Sequence, residues 1–179
     1  IGESVTEIQD NTFNSCRGLN SIDIPGSVVR IGHSAFEGCG LTGELVIPGS
    51  VKEIGDNAFL YCSGLTGELV IPDTINGYPV TNIGYNAFAV CKSLTSIIIP
   101  DSITSIDQNA FYNCKYLTGT LEFPSVFTEV PSNCFYGTGF SEIKLPDTVT
   151  TIKNGAFQRC LGLEKINMPT TLVSIEKQA

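Results

Sequence analysis

The seven cysteines are the side chains of this sequence that could most readily do chemistry. Six of them share one position, three residues after a phenylalanine, at the end of a seven-residue motif such as DNAFLYC (56–62): Cys16, Cys39, Cys62, Cys91, Cys114 and Cys160. A disulfide framework would alternate its partner positions, and a metal site would need CxxC or clustered Cys and His. The closest pair, Cys114 and Cys134, is 20 residues apart. We therefore interpret the cysteines as buried, reduced packing residues, with occasional disulfides or reactive thiols as alternatives.

Catalysis by a serine or cysteine nucleophile usually needs a histidine base held by a third group. His33 is the only histidine, and its position in the motif holds Asp, Tyr, Gln, Ser or Asn in the other copies. The sequence has no Gly-rich phosphate loop, and its acidic residues follow the repeat. We predict that the chain is not an enzyme and that it has no cofactor or metal site.

Charge and hydropathy exclude two classes of partner. The 10 Lys and Arg residues are outnumbered by 18 Asp and Glu residues, for a formal net charge of −8. A chain with this balance offers no basic surface for phosphates, so we predict no nucleic-acid partner. No apolar run approaches the roughly 20 residues that cross a bilayer, so we predict no membrane span in this segment.

The seven-residue motif recurs at a nearly constant interval, which is the sequence signature of a solenoid. Its phenylalanines are Phe13, Phe36, Phe59, Phe88, Phe111, Phe135 and Phe157, at intervals of 23, 23, 29, 23, 24 and 22 residues. An aliphatic residue lies five positions before each phenylalanine, and another apolar residue lies three positions before that. Fixed apolar spacing predicts fixed inward positions in every coil.

A second segment, Lxx(I/L)x(I/L)P, lies between the motifs, as in LTSIIIP at 94–100. Its alternating half predicts a half-buried strand that the proline ends. Three copies carry an additional residue, with a glycine at the bend, which predicts a bulge. We predict an α/β class, as a β-rich leucine-rich-repeat solenoid of about seven stacked coils, each with one short parallel strand.

Strand LxxIxIP, then SVTxI, then a motif of the form GxxAFxxC at period 23 resembles the BspA-like leucine-rich repeats. The segments 94–114 and 45–62 carry the resemblance most closely. The sixth copy departs from it, with Cys134 in place of Ala and Thr138 in place of Cys, and NGYPV (76–80) lengthens the third interval by six residues. We expect a loop at 73–82. We also expect residues 1–179 to be a single solenoid, cut within a repeat at both ends and part of a longer protein.

The resemblance implies an extracellular or cell-surface protein of a host-associated organism that adheres to host proteins or to other cells. The leading hypothesis is therefore a non-catalytic, secreted or surface module with a protein partner. A glycan-binding module or a spacer within a larger cell-surface protein is the alternative. Carbohydrate sites favour exposed aromatic rings, and the predicted strand surface has none. The oligomeric state stays open.

Two surfaces are candidate partner-binding sites. The first consists of strand residues that alternate with the inward ones and should face outward: Glu44, Val46, Glu68, Val70, Ser96, Ile98, Thr120 and Glu122. Val46, Val70 and Ile98 are apolar where solvent-facing residues should be polar, although β-branched residues also simply favour strands. The second is the loop with Tyr78, together with Tyr85, because an aromatic residue on a protruding loop is a common contact.

Overall fold

A computed structural model describes residues 1–75 and 78–179 of the chain. These residues form 17 short strands of two to five residues and no α-helix. The strands are β1 Glu7–Ile8, β2 Arg30–Ile31, β3 Thr42–Gly43, β4 Glu53–Ile54, β5 Gly64–Leu65, β6 Gly67–Val70, β7 Thr74–Ile75, β8 Tyr78–Pro79, β9 Asn82–Ile83, β10 Leu94–Ile98, β11 Ser105–Ile106, β12 Thr120–Glu122, β13 Glu129–Val130, β14 Glu142–Lys144, β15 Thr151–Ile152, β16 Lys165–Ile166 and β17 Ser174–Ile175. The chain is thus a parallel β-solenoid of about seven coils, as predicted.

The coils form two main lines of parallel strands, whereas the sequence predicted one strand in each coil. The LxxIxIP segments pair as β6-β10 and as β12-β14-β16. The aliphatic residue five positions before each phenylalanine, together with the residue before it, forms a second line, β1-β2-β4-β9-β11 followed by β13-β15-β17. In this second line equivalent residues face one another, as Ile31 faces Ile54. The inward aliphatic residues therefore serve both in the core and in a backbone ladder.

The α/β label is wrong, because the seven-residue motif forms turns and no helix occurs within residues 1–75 and 78–179. Asn57 and Tyr61, four residues apart in the third motif, have φ of 57° and 63°. Two left-handed residues at this spacing interrupt any α-helix. Between them the amide of Phe59 donates to Ala87 O of the next coil at 2.8 Å, while Cys62 N–H bonds back to Phe59 O at 3.1 Å. The motif thus divides its hydrogen bonds between its own turn and the next coil.

A column of phenylalanine rings fills the centre of the solenoid behind these turns. Neighbouring rings from Phe13 to Phe135 stack with centroids 5.2–5.6 Å apart, and the last step, Phe135 to Phe157, is 6.1 Å. The rings of Phe36, Phe59, Phe88, Phe111 and Phe135 are fully buried. We call this column the phenylalanine ladder. Phe59 and Phe88 are 29 residues apart and still stack at 5.3 Å, so the spacing between coils, and not the length of the repeat, sets the stacking distance.

The predicted loop at 73–82 coincides with a short excursion from the coil. Strands β7 and β8 pair antiparallel there, with Thr74 opposite Pro79. Residues 76 and 77 lie outside the described part of the chain. Both strands precede β9, which rejoins the parallel line at Asn82–Ile83.

Both lines of strands are interrupted at the same place, between the fifth and sixth coils. Strand β10 does not pair with β12, nor β11 with β13, within the described residues. The turn motifs still join across this boundary, since Phe111 N–H donates to Cys134 O at 3.0 Å and Asn113 N–H to Tyr136 O at 2.7 Å. The solenoid therefore consists of an N-terminal block (residues 1–114) and a C-terminal block (residues 117–179) that are joined mainly along one edge.

Pro131 accounts for part of this interruption. At the equivalent position in other coils, Asp107 N–H donates to Ile83 O at 2.9 Å and Lys153 N–H to Val130 O at 3.0 Å. Proline has no N–H, so Ile106 O cannot receive the corresponding bond. A shallow cavity of about 230 Å³ lies at this boundary.

Larger side chains in the sixth coil contribute as well. Phe123 and Phe127 occupy positions that are mostly aliphatic in the other copies, and their rings meet edge to face at 5.7 Å. Phe123 also contacts the ring of Phe135 at 5.5 Å. We infer that this additional aromatic volume contributes to the loss of strand pairing with the preceding coil.

Candidate protein-binding face

The strand face consists of the outward side chains of the LxxIxIP segments. Strict alternation places Leu45, Leu69 and Leu121 in the core and their neighbours on the surface. Parallel pairing then aligns the outward residues of successive coils in two columns. One column contains Glu44, Glu68 and Ser96, and the other contains Val46, Val70 and Ile98. Thr120 and Glu122 hold the equivalent positions beyond the interruption.

The three apolar residues of the second column are adjacent and exposed. Val46 bridges to Val70, and Val70 is the register partner of Ile98. Their exposed fractions are 75%, 47% and 49%. No described side chain covers them, so this stretch of the strand face presents a continuous apolar strip to solvent.

A groove of about 260 Å³ lies between the outward side chains of two neighbouring coils. Its lining includes Val46, Val70 and Pro72 along one part and the carboxylate residues Glu44 and Glu68 at the other. The stem of Glu44 leans across Gly67, where an added Cβ would lie only 2.9 Å from the Cγ atom of Glu44. The glycine therefore allows Glu44 to extend toward the strand that carries Glu68.

Neither carboxylate forms an ion pair with a described residue. Glu68 accepts a hydrogen bond from the hydroxyl of Ser96 at 3.3 Å, and no hydrogen bond to the Glu44 side chain occurs within the described residues. The two glutamates occupy neighbouring positions of one column, so like charges are adjacent across the strands. Such an arrangement is unfavourable unless a cation joins it.

The strand face of the C-terminal block pairs its charges internally. Lys144 binds Glu122, and Lys165 binds Glu142 with Nζ 2.6 Å from Oε1. The hydrogen bond from Lys165 holds the pKa of Glu142 below its ordinary value, and the hydrogen bond to Glu122 raises the pKa of Lys144. All four groups lie at the surface, so their neutralisation changes the character of the face more than its stability.

The eight predicted strand residues therefore do not form one surface. Glu44, Val46, Glu68, Val70, Ser96 and Ile98 lie together on the N-terminal block. Thr120 and Glu122 lie beyond the interruption, on the strand that pairs with β14. Whether either group binds a partner stays a prediction.

The predicted aromatic pair is not assembled into one site by the described residues. The side chain of Tyr78 lies outside the described part of the chain. Tyr85 is exposed and begins the fourth turn motif, where its backbone N–H donates to Asp56 Oδ1 at 2.8 Å. It therefore belongs to the turn edge and not to the strand face.

A stack of tyrosines on the turn edge escaped the sequence analysis. Tyr112 and Tyr136 stack with ring centroids 4.6 Å apart, and the guanidinium of Arg159 lies 5.9 Å from the centroid of Tyr136. Each tyrosine follows directly after a ladder phenylalanine. The shared motif position was the signal that would have revealed the stack.

The cysteines use their thiols to join coils. Cys62 Sγ donates to Phe36 O at 3.0 Å, and Cys114 Sγ donates to Phe88 O at 3.1 Å. Burial raises the pKa of both thiols to about 12. All seven cysteines are free; five are buried, Cys160 is partly buried and Cys16 is exposed. Buried, protonated thiols are poor nucleophiles, which agrees with a packing role for all but Cys16.

The surroundings of His33, the grouping of potential metal ligands and the length of helices bear on the remaining predictions. His33 is exposed, and its backbone N–H bonds to Asp10 Oδ1 at 2.9 Å. Within residues 1–75 and 78–179 no three His, Cys, Asp or Glu side chains converge as metal ligands would. The same residues include no helix with the length and apolarity needed to cross a bilayer.

Stacked coils of one period, with a strand face on one side and turns on the other, define a leucine-rich-repeat solenoid. The family profile of the BspA type leucine rich repeat region matches residues 1–79 and 81–179, with six copies, so the chain belongs to this family. A comparison with curated proteins found no match.

Three solved bacterial structures are similar to the chain. A leucine-rich repeat protein from Bacteroides ovatus is 25% identical with a TM-score of 0.76, and it aligns over 98% of this chain and 53% of its own length. A leucine rich cell surface protein from Faecalibacterium prausnitzii is 31% identical with a TM-score of 0.60, over 100% and 59%. The leucine rich repeat protein of T. pallidum is 26% identical with a TM-score of 0.58, over 96% and 66%. The chain thus spans about half to two thirds of these proteins.

Proposed function

We propose that this chain is a non-catalytic, secreted or surface-exposed module that binds a protein partner through the strand face of its N-terminal block. The observation that carries the proposal is the exposed strip of Val46, Val70 and Ile98, which lies beside carboxylates that have no counterion within the described part of the chain. Exposed apolar patches bordered by polar residues are typical of protein-interaction sites. The strand face of the C-terminal block pairs its own charges and offers less to a partner.

The family and one structural neighbour support the location of this function. Leucine-rich repeats commonly present their extended surface to other proteins. The Faecalibacterium prausnitzii neighbour is described as a cell surface protein. We extend that location to this chain and propose that its partner is a host protein or a protein on another cell, to which it adheres.

The test is binding of the chain to a panel of matrix proteins and glycans, measured for the native sequence and for the triple variant Val46→Thr, Val70→Thr, Ile98→Thr. The change keeps β-branched side chains, so circular dichroism should be unchanged. A matched control is Val126→Thr, Val173→Thr, Ile175→Thr, because these residues are also exposed, at 46%, 84% and 57%, but lie elsewhere.

We expect the native chain and the control variant to bind a protein of the panel, and the strand-face variant to bind it at least ~10-fold more weakly, the loss expected when an interface loses three apolar contacts. Equal loss in the two variants would show that the strip has no special role. Equal binding by all three proteins would remove the strand face from the interaction.

A glycan-binding function has one observation in its favour, the stack of Tyr112 and Tyr136 on the turn edge. Aromatic rings are the usual platforms for sugars, and the strand face has none. Binding of a glycan that survives the strand-face variant and is lost in Tyr112→Ala would move the function to this edge. No binding at all would leave the module as a spacer.

A further inference from the structure

Glu44 and Glu68 are carboxylate residues at neighbouring positions of one column, with no cation paired to either among the described residues. Elsewhere the chain repeatedly places a cation against a carboxylate of the neighbouring coil, in the pairs Arg30–Asp10, Arg30–Glu53, Lys144–Glu122, Lys153–Glu129 and Lys165–Glu142. Glu44 and Glu68 have no such partner among the described residues. Like charges on neighbouring strands destabilise a sheet, so an external cation would relieve a cost that the fold itself does not offset.

The groove beside these carboxylates has the shape of an extended basic side chain. Val46, Val70 and Pro72 provide apolar surface for a methylene stem, and Glu44 and Glu68 lie where the charged end would emerge. Long basic side chains bury their stems on apolar surfaces while the charged group stays at the edge. The groove, of about 260 Å³, is large enough for one such side chain but not for a folded element.

We propose that this groove binds an arginine side chain of the protein partner, with the stem on Val46 and Val70 and the guanidinium between Glu44 and Glu68. Arginine fits better than lysine, because its planar, five-donor group can bond two carboxylates at once. The inference rests on the proposed protein-binding function and specifies its partner: an extended segment in which apolar residues flank an arginine.

The test is a titration of the isotope-labelled chain, followed by NMR, with the peptide acetyl-Val-Arg-Val-amide. Two further peptides replace arginine by lysine or by citrulline, which has nearly the same shape but no charge. We expect the arginine peptide to shift the backbone amide signals of residues 44–46 and 67–70. The lysine peptide should bind more weakly than the arginine peptide. The affinity of the citrulline peptide should be lower than that of the arginine peptide by a factor of ~10 or more, the ratio expected for losing a charged hydrogen-bonding group.

Two variants of the chain make the assignment specific. Glu44→Gln with Glu68→Gln keeps the shape of the groove and should weaken the arginine peptide by the same factor. Glu122→Gln with Glu142→Gln removes two carboxylates from the other half of the same face and should leave binding unchanged. The arginine signal should also fall as salt is added, because the contact is electrostatic and exposed.

Equal shifts with the arginine and citrulline peptides, equal loss in both glutamine variants, or no shift at residues 44–46 and 67–70 would each overturn the inference. Such a failure is distinct from failure of the proposed function. If the Val46, Val70 and Ile98 variant still loses its protein partner, the strip binds a partner that does not use arginine. If the peptide binds but no protein of the panel does, the groove is established and the adhesive function is not.

Discussion

The two blocks of the solenoid share one backbone plan, but their strand faces differ in apolar exposure and in charge pairing. In the N-terminal block the outward columns present Val46, Val70 and Ile98 beside Glu44 and Glu68, which pair with no cation among the described residues. In the C-terminal block the equivalent outward positions contain glutamate–lysine pairs that neutralise each other. Because inward positions are fixed by packing, outward positions can vary from coil to coil without cost to the fold. A repeat protein can therefore have exposed apolar surface in one region and paired surface charges in another within a single regular scaffold.

The change of surface character coincides with the interruption of both lines of strands. Across this boundary the blocks remain connected by the phenylalanine ladder and by hydrogen bonds between turn motifs. Thr118 N–H also donates to Thr95 O at 3.1 Å. The strand side thus has fewer backbone bonds than the turn side. We expect this boundary to be the weakest interface between coils.

The largest expected effect comes from removing the ladder ring at the boundary. Phe111 is fully buried between the rings of Phe88 and Phe135, at 5.6 and 5.5 Å. Phe111→Ala should lower the free energy of unfolding by about 3–5 kcal/mol. It should also separate urea unfolding into two transitions, because stability in a solenoid depends on contacts between neighbouring coils.

The control for this prediction is Phe59→Ala, which creates a similar cavity inside the N-terminal block, between rings at 5.2 and 5.3 Å. We expect a similar loss of stability but less separation of the two transitions. Identical unfolding curves for the two variants would show that the boundary is no weaker than other coil interfaces.

Alkaline pH should destabilise the N-terminal block through its buried thiols. Burial raises the pKa of Cys62 and of Cys114 from 9.0 to about 12, so the folded chain keeps these protons after the unfolded chain has lost them. The unfolded state is therefore favoured between pH 9 and pH 12, by about 1.4 kcal/mol per pH unit for each thiol. Urea unfolding at pH 8 and pH 10 measures the effect.

Cys62→Ala with Cys114→Ala provides the comparison for the alkaline effect. The double variant should be less stable at pH 8, because two small cavities are created, but it should lose less stability on going to pH 10. A native chain with the same stability at both pH values would contradict the assigned thiol environments.

Restoring the missing donor at Pro131 should strengthen the boundary by a smaller amount. Pro131→Asp introduces an N–H that can reach Ile106 O, as the N–H of Asp107 reaches Ile83 O. A backbone hydrogen bond contributes about 0.5–1.5 kcal/mol, but losing the proline costs about 0.4–1 kcal/mol through the unfolded chain. Overall stability should therefore change little.

Local exchange is the sensitive measurement for this variant. In the native chain we expect the amide of Thr128, which has no hydrogen bond within the described residues, to exchange faster than those of Thr104 and Thr150, which donate across coils at 2.9 and 2.8 Å. Pro131→Asp should slow exchange at Thr128. Unchanged exchange would assign the interruption to the bulky Phe123 and Phe127 alone.

The smallest effect should follow removal of a surface ion pair in the C-terminal block. Lys144→Met removes the partner of Glu122, and both side chains are about half exposed or more. Because solvent already screens this pair, thermal unfolding should hardly change. The variant also leaves Glu122 without its lysine partner. If the ion pair prevents Glu122 from binding arginine, the arginine peptide should shift the NMR signals near Glu122 in this variant.

The repeat made most of the fold predictable. Each position recurs in seven copies, so the same residue type in several copies supports one assignment of that position as inward or outward. The inward role of Phe59 or Ile54 followed from spacing alone, and both are fully buried. The α/β class failed because period and hydropathy do not report backbone handedness. The left-handed residues include Tyr61 and Val90, whose types do not favour that conformation. The second line of strands was missed because a two-residue strand leaves no alternation to detect.

The candidate site was predictable only in part. Alternation in the strands identified the outward residues, and the interval between repeats aligned them into columns. The interruption between Ile98 and Thr120 was not visible, because it depends on how Phe123 and Phe127 fit beside the preceding coil. The groove at Glu44 also depends on a lean of its side chain across Gly67 that no pattern in the sequence encodes.

The sequence by itself determined the family, the period, the inward residues and the excess of negative charge, because each of these depends on residue type and spacing along the chain. Only the tertiary structure decided which charges meet, where the strands lose their partners, and that Tyr112 and Tyr136 stack. The physical reason is that these features depend on distances between coils. Such distances are set by the packing of side chains more than 20 positions apart. The sequence of a single coil does not specify how that coil packs against its neighbour.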